Sequence, residues 1–119
     1  SFLYITDRRK DMIISGGENI ASSEVERVIY ALPEVRECAV IGVPDALWGE
    51  RPVAVVVLNE GAELSLAALA AHCREHLASF KVPRQLSLAA ALPRNPSGKV
   101  LKRVLRDQLL NQPIEIAER

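Results

Sequence analysis

The chain has 119 residues, 49% hydrophobic and 25% charged, with 15 Lys+Arg against 15 Asp+Glu; a chain of this size buries about two thirds of its unfolded surface, enough for one modest core without disulfides or metal and too little for two. No apolar run approaches the roughly 18 residues of a membrane span, and residues 1–20 lack the basic-then-apolar order of a secretory signal, so a cytoplasmic location is expected. Cys38 and Cys73 are too few for a disulfide scaffold and lack C-x-x-C spacing, which reads as two small buried hydrophobes, and 4% aromatic content leaves few platforms for stacking single-stranded nucleic acid.

In chain order, Phe2–Thr6 reads as a strand, and Met12–Ile14 resumes the strand pattern after the polar run Asp7–Asp11. That is a short hairpin with a charged turn, broken by Ser15-Gly16-Gly17. Ser23 and Glu26 have capping-box spacing, and Val25, Val28, Ile29 and Leu32 recur at helical intervals until Pro33, which predicts a first helix over 22–32. Cys38–Val43 and Val53–Leu58 are β-branched runs bounded by turn residues, and they pair most simply as neighbouring antiparallel strands. Leu66, Leu69, Cys73, Leu77 and Phe80 mark the apolar stripe of a second helix, opened by Ser65 and ended before Pro83. Gln85–Ala89 is a weaker third strand. After a break over Pro93–Gly98, Leu101, Val104, Leu105 and Leu109 predict a third, amphipathic helix with Lys99, Lys102, Arg103 and Arg106 around its start and one flank. The elements interleave as α+β: a small, mostly antiparallel sheet of about three strands with three packed helices, preceded by the N-terminal hairpin. Asn111–Arg119 reads as a loosely held tail.

The neutral total hides an uneven distribution. Between His76 and Arg106 there is no Asp or Glu, whereas Lys81, Arg84, Arg94, Lys99, Lys102, Arg103 and Arg106 give that stretch a charge of +7. One end of the molecule should attract anions, or the stretch is a solvated basic face. Lysine is sparing, four against eleven arginines, so an ammonium has been kept at few places.

Three places could carry chemistry. His72 and His76 stand one helical turn apart, but Cys73 occupies the position of a zinc protease's general base and no third ligand is evident, so they read as two surface histidines. Gly16-Gly17 either lets a ligand pass close to the backbone or meets the demands of a tight turn. Pro93-Arg-Asn-Pro-Ser-Gly-Lys99 has a Gly-Lys pair opening a helix, where amides and dipole favour anions. It nevertheless lacks the first glycine and the Ser/Thr of a Walker loop, having Pro93 and Val100 instead.

Thr6-Asp-Arg-Arg-Lys-Asp-Met-Ile-Ile-Ser-Gly-Gly-Glu-Asn-Ile20, Ala39-Val-Ile-Gly-Val-Pro-Asp45 with Trp48-Gly-Glu50, Phe80-Lys-Val-Pro83 and Leu92-Pro-Arg-Asn-Pro-Ser-Gly-Lys-Val-Leu-Lys102 occur in this order. Over residues 2 to about 110 the chain resembles the small C-terminal domain of an acyl- or aryl-CoA ligase of the adenylate-forming superfamily. The resemblance implies a mobile lid over 1–110 and a tail over 111–119. It also implies a partner outside this chain, a large N-terminal domain with the phosphate loop and acyl pocket.

Such ligases join a carboxylate to the α-phosphate of ATP, release pyrophosphate, and then let the CoA thiol displace AMP. ATP/AMP, CoA and a carboxylic acid are the implied substrates, with Mg2+ accompanying ATP in the full-length enzyme and no metal held by this domain. Lys99 matches the lysine that reaches carboxylate and phosphate oxygens during adenylation; opposite charges about 4 Å apart at an effective dielectric of about 20 attract by roughly 4 kcal/mol before desolvation. Arg8 matches an arginine near the nucleotide's ribose and phosphate, and Lys10 the interdomain hinge. Gly16 and Gly17 match the segment bordering the pantetheine tunnel, where a side chain would block the thiol. Glu18 either sits beside the thioester-forming centre or hydrogen-bonds the turn, and Trp48 either lines the same region or fills the sheet edge. Rotation about the hinge would exchange the Lys99 face for the Gly17 face. Asp7, Ser22 and Asn95 depart from the family's frequent Gly, Pro and Thr, while Glu18-Asn19 favours the CoA-ligase branch. In isolation the lid is expected to be nearly inactive. The competing reading is a noncatalytic anion- or nucleic-acid-binding module that uses the basic 81–106 stretch.

Overall fold

Residues 12–111 are described by the structure, a computed structural model. Phe2–Thr6, Arg8, Lys10 and most of the expected tail lie outside the described residues. The elements run β1 (Met12–Ser15), β2 (Glu18–Ala21), α1 (Ser22–Tyr30), β3 (Val35–Asp45), β4 (Gly49–Leu58), α2 (Leu66–Arg74), a 3₁₀ turn (Ser79–Lys81), β5 (Gln85–Leu88) and α3 (Lys102–Leu110). The expected α+β class holds, with three helices among the described residues and a three-stranded sheet ordered β3-β4-β5. β3 and β4 pair antiparallel from Val35↔Leu58 to Asp45↔Gly49, whereas β5 joins β4 in parallel, Val53↔Gln85 to Val56↔Leu88.

β3 and β4 are apolar without alternation because both faces of the sheet are covered. Cys38, Val40, Ala54 and Val56 face a cluster with Val25 and Ile29 of α1 and Leu69 and Cys73 of α2. Ala39, Ile41, Val43, Val53, Val55 and Val57 face the other way, against Leu92, Leu105 and Leu109 of the α3 side. The sheet is therefore the middle of three layers. Both cysteines are buried and unbridged, as expected. Burial first, and the Glu26 carboxylate second, push the Cys38 thiol up to about 12, and burial pushes Cys73 up to about 11.

Several local expectations are corrected. Met12–Ser15 pairs with Glu18–Ala21, Met12↔Ala21 to Ser15↔Glu18, so Gly16-Gly17 is the turn of a hairpin where the sequence pattern marks only a break; the expected hairpin of Phe2–Thr6 with Met12–Ile14 rests on residues outside those described. Ser23–Glu26 is not a capping box: Ala21 is the N-cap of α1 without a side-chain bond. Glu26 is used elsewhere, accepting the Val40 N–H at 2.9 Å and pairing with Lys102 at 2.8 Å. α2 does begin at Ser65, whose Oγ accepts the Ala68 N–H at 3.0 Å, but it ends at Arg74. Leu77 and Phe80 still reach the core, from the connection and the 3₁₀ turn.

The outer edge of β3 is closed by side chains. Its outward N–H groups at Cys38 and Val40 go to Tyr30 Oη (3.1 Å) and Glu26 Oε2 (2.9 Å), and Gly42 O accepts from Arg106 Nε (2.7 Å). An edge satisfied in this way cannot template pairing with another chain. No helix among the described residues is long and apolar enough to cross a membrane.

Candidate functional site

Gly16 and Gly17 form a two-residue hairpin loop with φ of 60° and 82°, the left-handed pair that such a loop requires and glycine supplies without strain. The two are not equivalent. A Cβ on Gly16 would lie 2.7 Å from Trp48 Cε3, whereas one on Gly17 would meet nothing within 4 Å. The loop is docked on the β3–β4 turn: the Gly16 N–H donates to Trp48 O at 2.7 Å, and the Ile14 N–H donates to Glu50 Oε1 at 2.9 Å. Room for that carboxylate exists because residue 42 is glycine, whose missing Cβ would stand 3.0 Å from Glu50 Cδ.

Asp45 holds the turn itself. Its Oδ1 accepts from the Leu47 (2.8 Å) and Trp48 (2.9 Å) amides, and Arg51 lies 3.4 Å from Oδ2. The Trp48 amide first, then the Leu47 amide and the guanidinium, hold the Asp45 carboxyl below its ordinary value. Trp48, with 38% of its surface exposed, stacks under the Arg84 guanidinium at 4.5 Å from its ring centroid. The Ala39–Asp45 and Trp48–Glu50 segments of the resemblance are thus the fittings that hold the glycine loop. Glu18 is exposed at the start of β2, opposite Ser15.

Lys99 lies in a second place. The expectation that Gly98-Lys99 opens a helix is corrected, because α3 begins only at Lys102 and Lys99 stands on the return arm of a small loop closed by an Arg94↔Val100 bridge. Pro96 and Ser97 make the bend, the Gly98 N–H donates to Asn95 O at 2.9 Å, and Gly98 takes φ of 94°. Asn95 Oδ1 accepts from Ser97 N (3.1 Å), Ser97 Oγ (2.8 Å) and Lys99 N (2.9 Å), and the Asn95 N–H donates to Lys99 O at 2.9 Å. The Lys99 side chain is exposed. It borders a groove of about 950 Å³ that runs beside the β3 edge and is lined also by Glu26, Glu50, Arg103 and Arg106. Neither Gly16 nor Trp48 lines this groove, so the predicted site residues fall into two places: Gly16, Gly17, Glu18 and Trp48 in one, Lys99 in the other. Arg8 and Lys10 lie outside the described residues.

The basic stretch is not one anion-gripping patch. Lys81 pairs with Glu24 (2.8 Å), Arg94 with Glu37 (2.7 Å) and Lys102 with Glu26 (2.8 Å), while Arg106 is drawn to Gly42 O and Arg84 to the indole. A nucleic-acid-binding role for residues 81–106 is not supported by that pairing. His76 is exposed as expected, but His72 is half-buried and donates from Nε2 to Val28 O at 2.7 Å, a tie between α2 and α1. Among the described residues no cluster of three or more His, Cys, Asp or Glu could hold a metal ion.

Sequence reasoning missed Asp45, Glu50 and Gly42 as determinants of the hairpin. The available signal was their occurrence within the resembling segments.

Comparison with known proteins agrees with this anatomy. The family described as AMP-binding enzyme C-terminal domain matches residues 24–99. The long-chain-fatty-acid–CoA ligase FadD13 of Mycobacterium tuberculosis is 51% identical over 107 residues, covering 90% of this chain and 21% of that protein. The 2-succinylbenzoate–CoA ligase of Geobacillus kaustophilus is 50% identical over 105 residues, covering 88% and 21%. Among solved structures, ATP-bound MatB from Rhodopseudomonas palustris superposes with a TM-score of 0.83 at 43% identity, over 87% of this chain and 20% of that one. The chain thus spans about a fifth of the length of these relatives. With its three-layer core, its docked glycine hairpin and its lysine loop, the chain belongs to the AMP-binding enzyme C-terminal domain family, the small domain of the adenylate-forming CoA ligases.

Proposed function

We propose that this chain is the mobile lid of an ATP-dependent carboxylic acid:CoA ligase, working with a large N-terminal domain that carries the ATP and acyl pockets. In the first half-reaction a carboxylate oxygen attacks the α-phosphate of ATP and pyrophosphate leaves. Two anions must approach, and the Lys99 ammonium lowers their repulsion by sitting near both. A compact cation on a flexible stem suits that task better than a planar guanidinium. In the second half-reaction the CoA thiol attacks the acyl carbonyl and AMP leaves. The Gly17 position, open on every side, lets the narrow pantetheine arm pass the hairpin tip, and Glu18 and Trp48 border its route. Arg8 contacts the nucleotide and Lys10 serves as the pivot. Mg2+ accompanies ATP in the large domain.

The observation that supports this reading is the Asn95–Lys99 loop, which carries Lys99, an exposed residue, on a backbone tied at both its N–H and its C=O. The test is made in the full-length polypeptide that contains this domain. Lys99→Ala lowers acid-dependent pyrophosphate release by roughly 10²-fold or more, while thioester formation from preformed acyl-adenylate stays within about threefold. Equal loss in the two assays, or no loss in the first, overturns the assignment.

A further inference from the structure

Two features near the lysine loop are unused by the reading above. One is a bulge in β3, where the register slips between Val35↔Leu58 and Glu37↔Val57. Bulges re-aim side chains, and Glu37 beyond this one meets Arg94, 57 residues away in sequence, at 2.7 Å. The other is the second half of the same guanidinium: Arg94 Nη1 donates to Gly98 O at 2.7 Å.

Gly98 O and Lys99 N belong to one peptide unit, which is planar and moves as a body. Arg94 holds that plane by its oxygen, and Asn95 Oδ1 holds it by its N–H at 2.9 Å. The next carbonyl, Lys99 O, accepts from Asn95 N at 2.9 Å. Gly98 O, Lys99 N and Lys99 O are therefore all engaged, which fixes the peptide planes on the two sides of the Lys99 Cα and so the direction in which its side chain leaves the loop. The base of the loop is seated by Leu92, which is buried, and by Val100 packed on the same cluster. At the closing bridge beside Val100, Glu37 ties Arg94 to the sheet.

We propose that Arg94, braced by Glu37, is a positioning residue for Lys99, setting where its ammonium is delivered during adenylation. The pair is poorly placed to act as a stability device, since the Arg94 side chain is 40% exposed and exposed ion pairs contribute little. Its geometry, by contrast, uses the two separate nitrogens of a planar guanidinium fork, Nη2 for the carboxylate and Nη1 for the carbonyl, whereas a lysine offers all its donors from one nitrogen on a flexible stem. The proposal rests on Lys99 being the adenylation cation.

In the full-length polypeptide, Arg94→Ala lowers kcat for acid-dependent pyrophosphate release by about ten- to a hundred-fold, the loss that follows a misplacement of about 1 Å. KM values for ATP and acid change little, and thioester formation from preformed acyl-adenylate is unchanged. Arg94→Lys does not restore the rate. Glu37→Gln, which keeps a neutral acceptor for the guanidinium, loses less than Glu37→Ala. Added to Lys99→Ala, Arg94→Ala costs nothing further, because it acts only through that side chain. If Lys99→Ala itself leaves pyrophosphate release intact, the functional reading beneath the proposal fails. If Lys99→Ala abolishes release but Arg94→Ala and Glu37→Ala leave it within twofold, the positioning role fails alone. Equal loss in both half-reactions, or full additivity with Lys99→Ala, shows a merely structural pair and also overturns it. Should Arg94→Ala not fold, the Glu37→Gln and Arg94→Lys variants carry the same comparison.

Discussion

Replacing Gly16 by alanine measures how firmly the hairpin tip is seated, with Gly17→Ala as its internal control. Both positions have left-handed φ, 60° and 82°, so each alanine carries a backbone cost of about 1 kcal/mol. Only at Gly16 does the new methyl collide, 2.7 Å from Trp48 Cε3 and 3.0 Å from Cζ3. The indole must then shift off its stack with Arg84 or the loop must lift from Trp48 O, and overpacking of this kind costs about 1–3 kcal/mol. Gly16→Ala should therefore destabilise by about 2–4 kcal/mol and Gly17→Ala by about 1 kcal/mol. For a chain of 119 residues each kcal/mol lowers Tm by about 4 °C, so thermal unfolding followed by circular dichroism separates the two easily. In a Trp48→Ala background the obstacle is gone, and Gly16→Ala should fall to the level of Gly17→Ala. Equal shifts for the two glycines, or strict additivity of Gly16→Ala with Trp48→Ala, would refute the seating of the loop on the indole.

Two further outcomes follow from the interior. With folded-state thiols raised from 9.0 to about 12 and about 11, Cys38 and Cys73 stay protonated in the native chain while the unfolded chain ionises, so their contribution is intact below pH 9 and is lost as pH rises from there through those values; Cys38→Ala should flatten this alkaline decline in urea midpoints, and an unchanged slope counts against it. Glu26, with its side chain 20% exposed, serves both the Val40 N–H and Lys102, so Glu26→Ala should cost about 2 kcal/mol and speed amide exchange at Val40, whereas Lys102→Met should leave that amide protected; unaltered exchange at Val40 in the Glu26 variant removes the edge-closing role.

Much of the fold could be read in advance because its causes are local. The apolar runs at 38–43 and 53–58 announce strands buried on both faces, and Ser65 announces a helix start that the Ala68 bond realises. The strand at Glu18–Ala21 is not legible because Glu18-Asn19-Ile20-Ala21 has little strand propensity and only Ile20 is buried; its hairpin with Met12–Ser15 is docked on Trp48 and Glu50. A glycine pair between the two segments was nonetheless a two-residue-turn signal already in view. Ser23–Glu26 misled for the opposite reason, since its local partner lost to the distant Val40 and Lys102. At the candidate site the residue types were visible, but what aims them was not: Arg94–Glu37 spans 57 residues and depends on a strand bulge that no periodicity reveals.

The two-strand ribbon at the centre acts as a ruler. The glycine hairpin is fastened at its turn, around Asp45–Glu50, and the lysine loop toward its far end, at Glu37. Eight residues of extended chain between Glu37 and Asp45 set those fastenings roughly 25 Å apart. A ribbon clad on both sides by helices neither stretches nor folds, so the spacing of the two fastenings is fixed by the sheet itself.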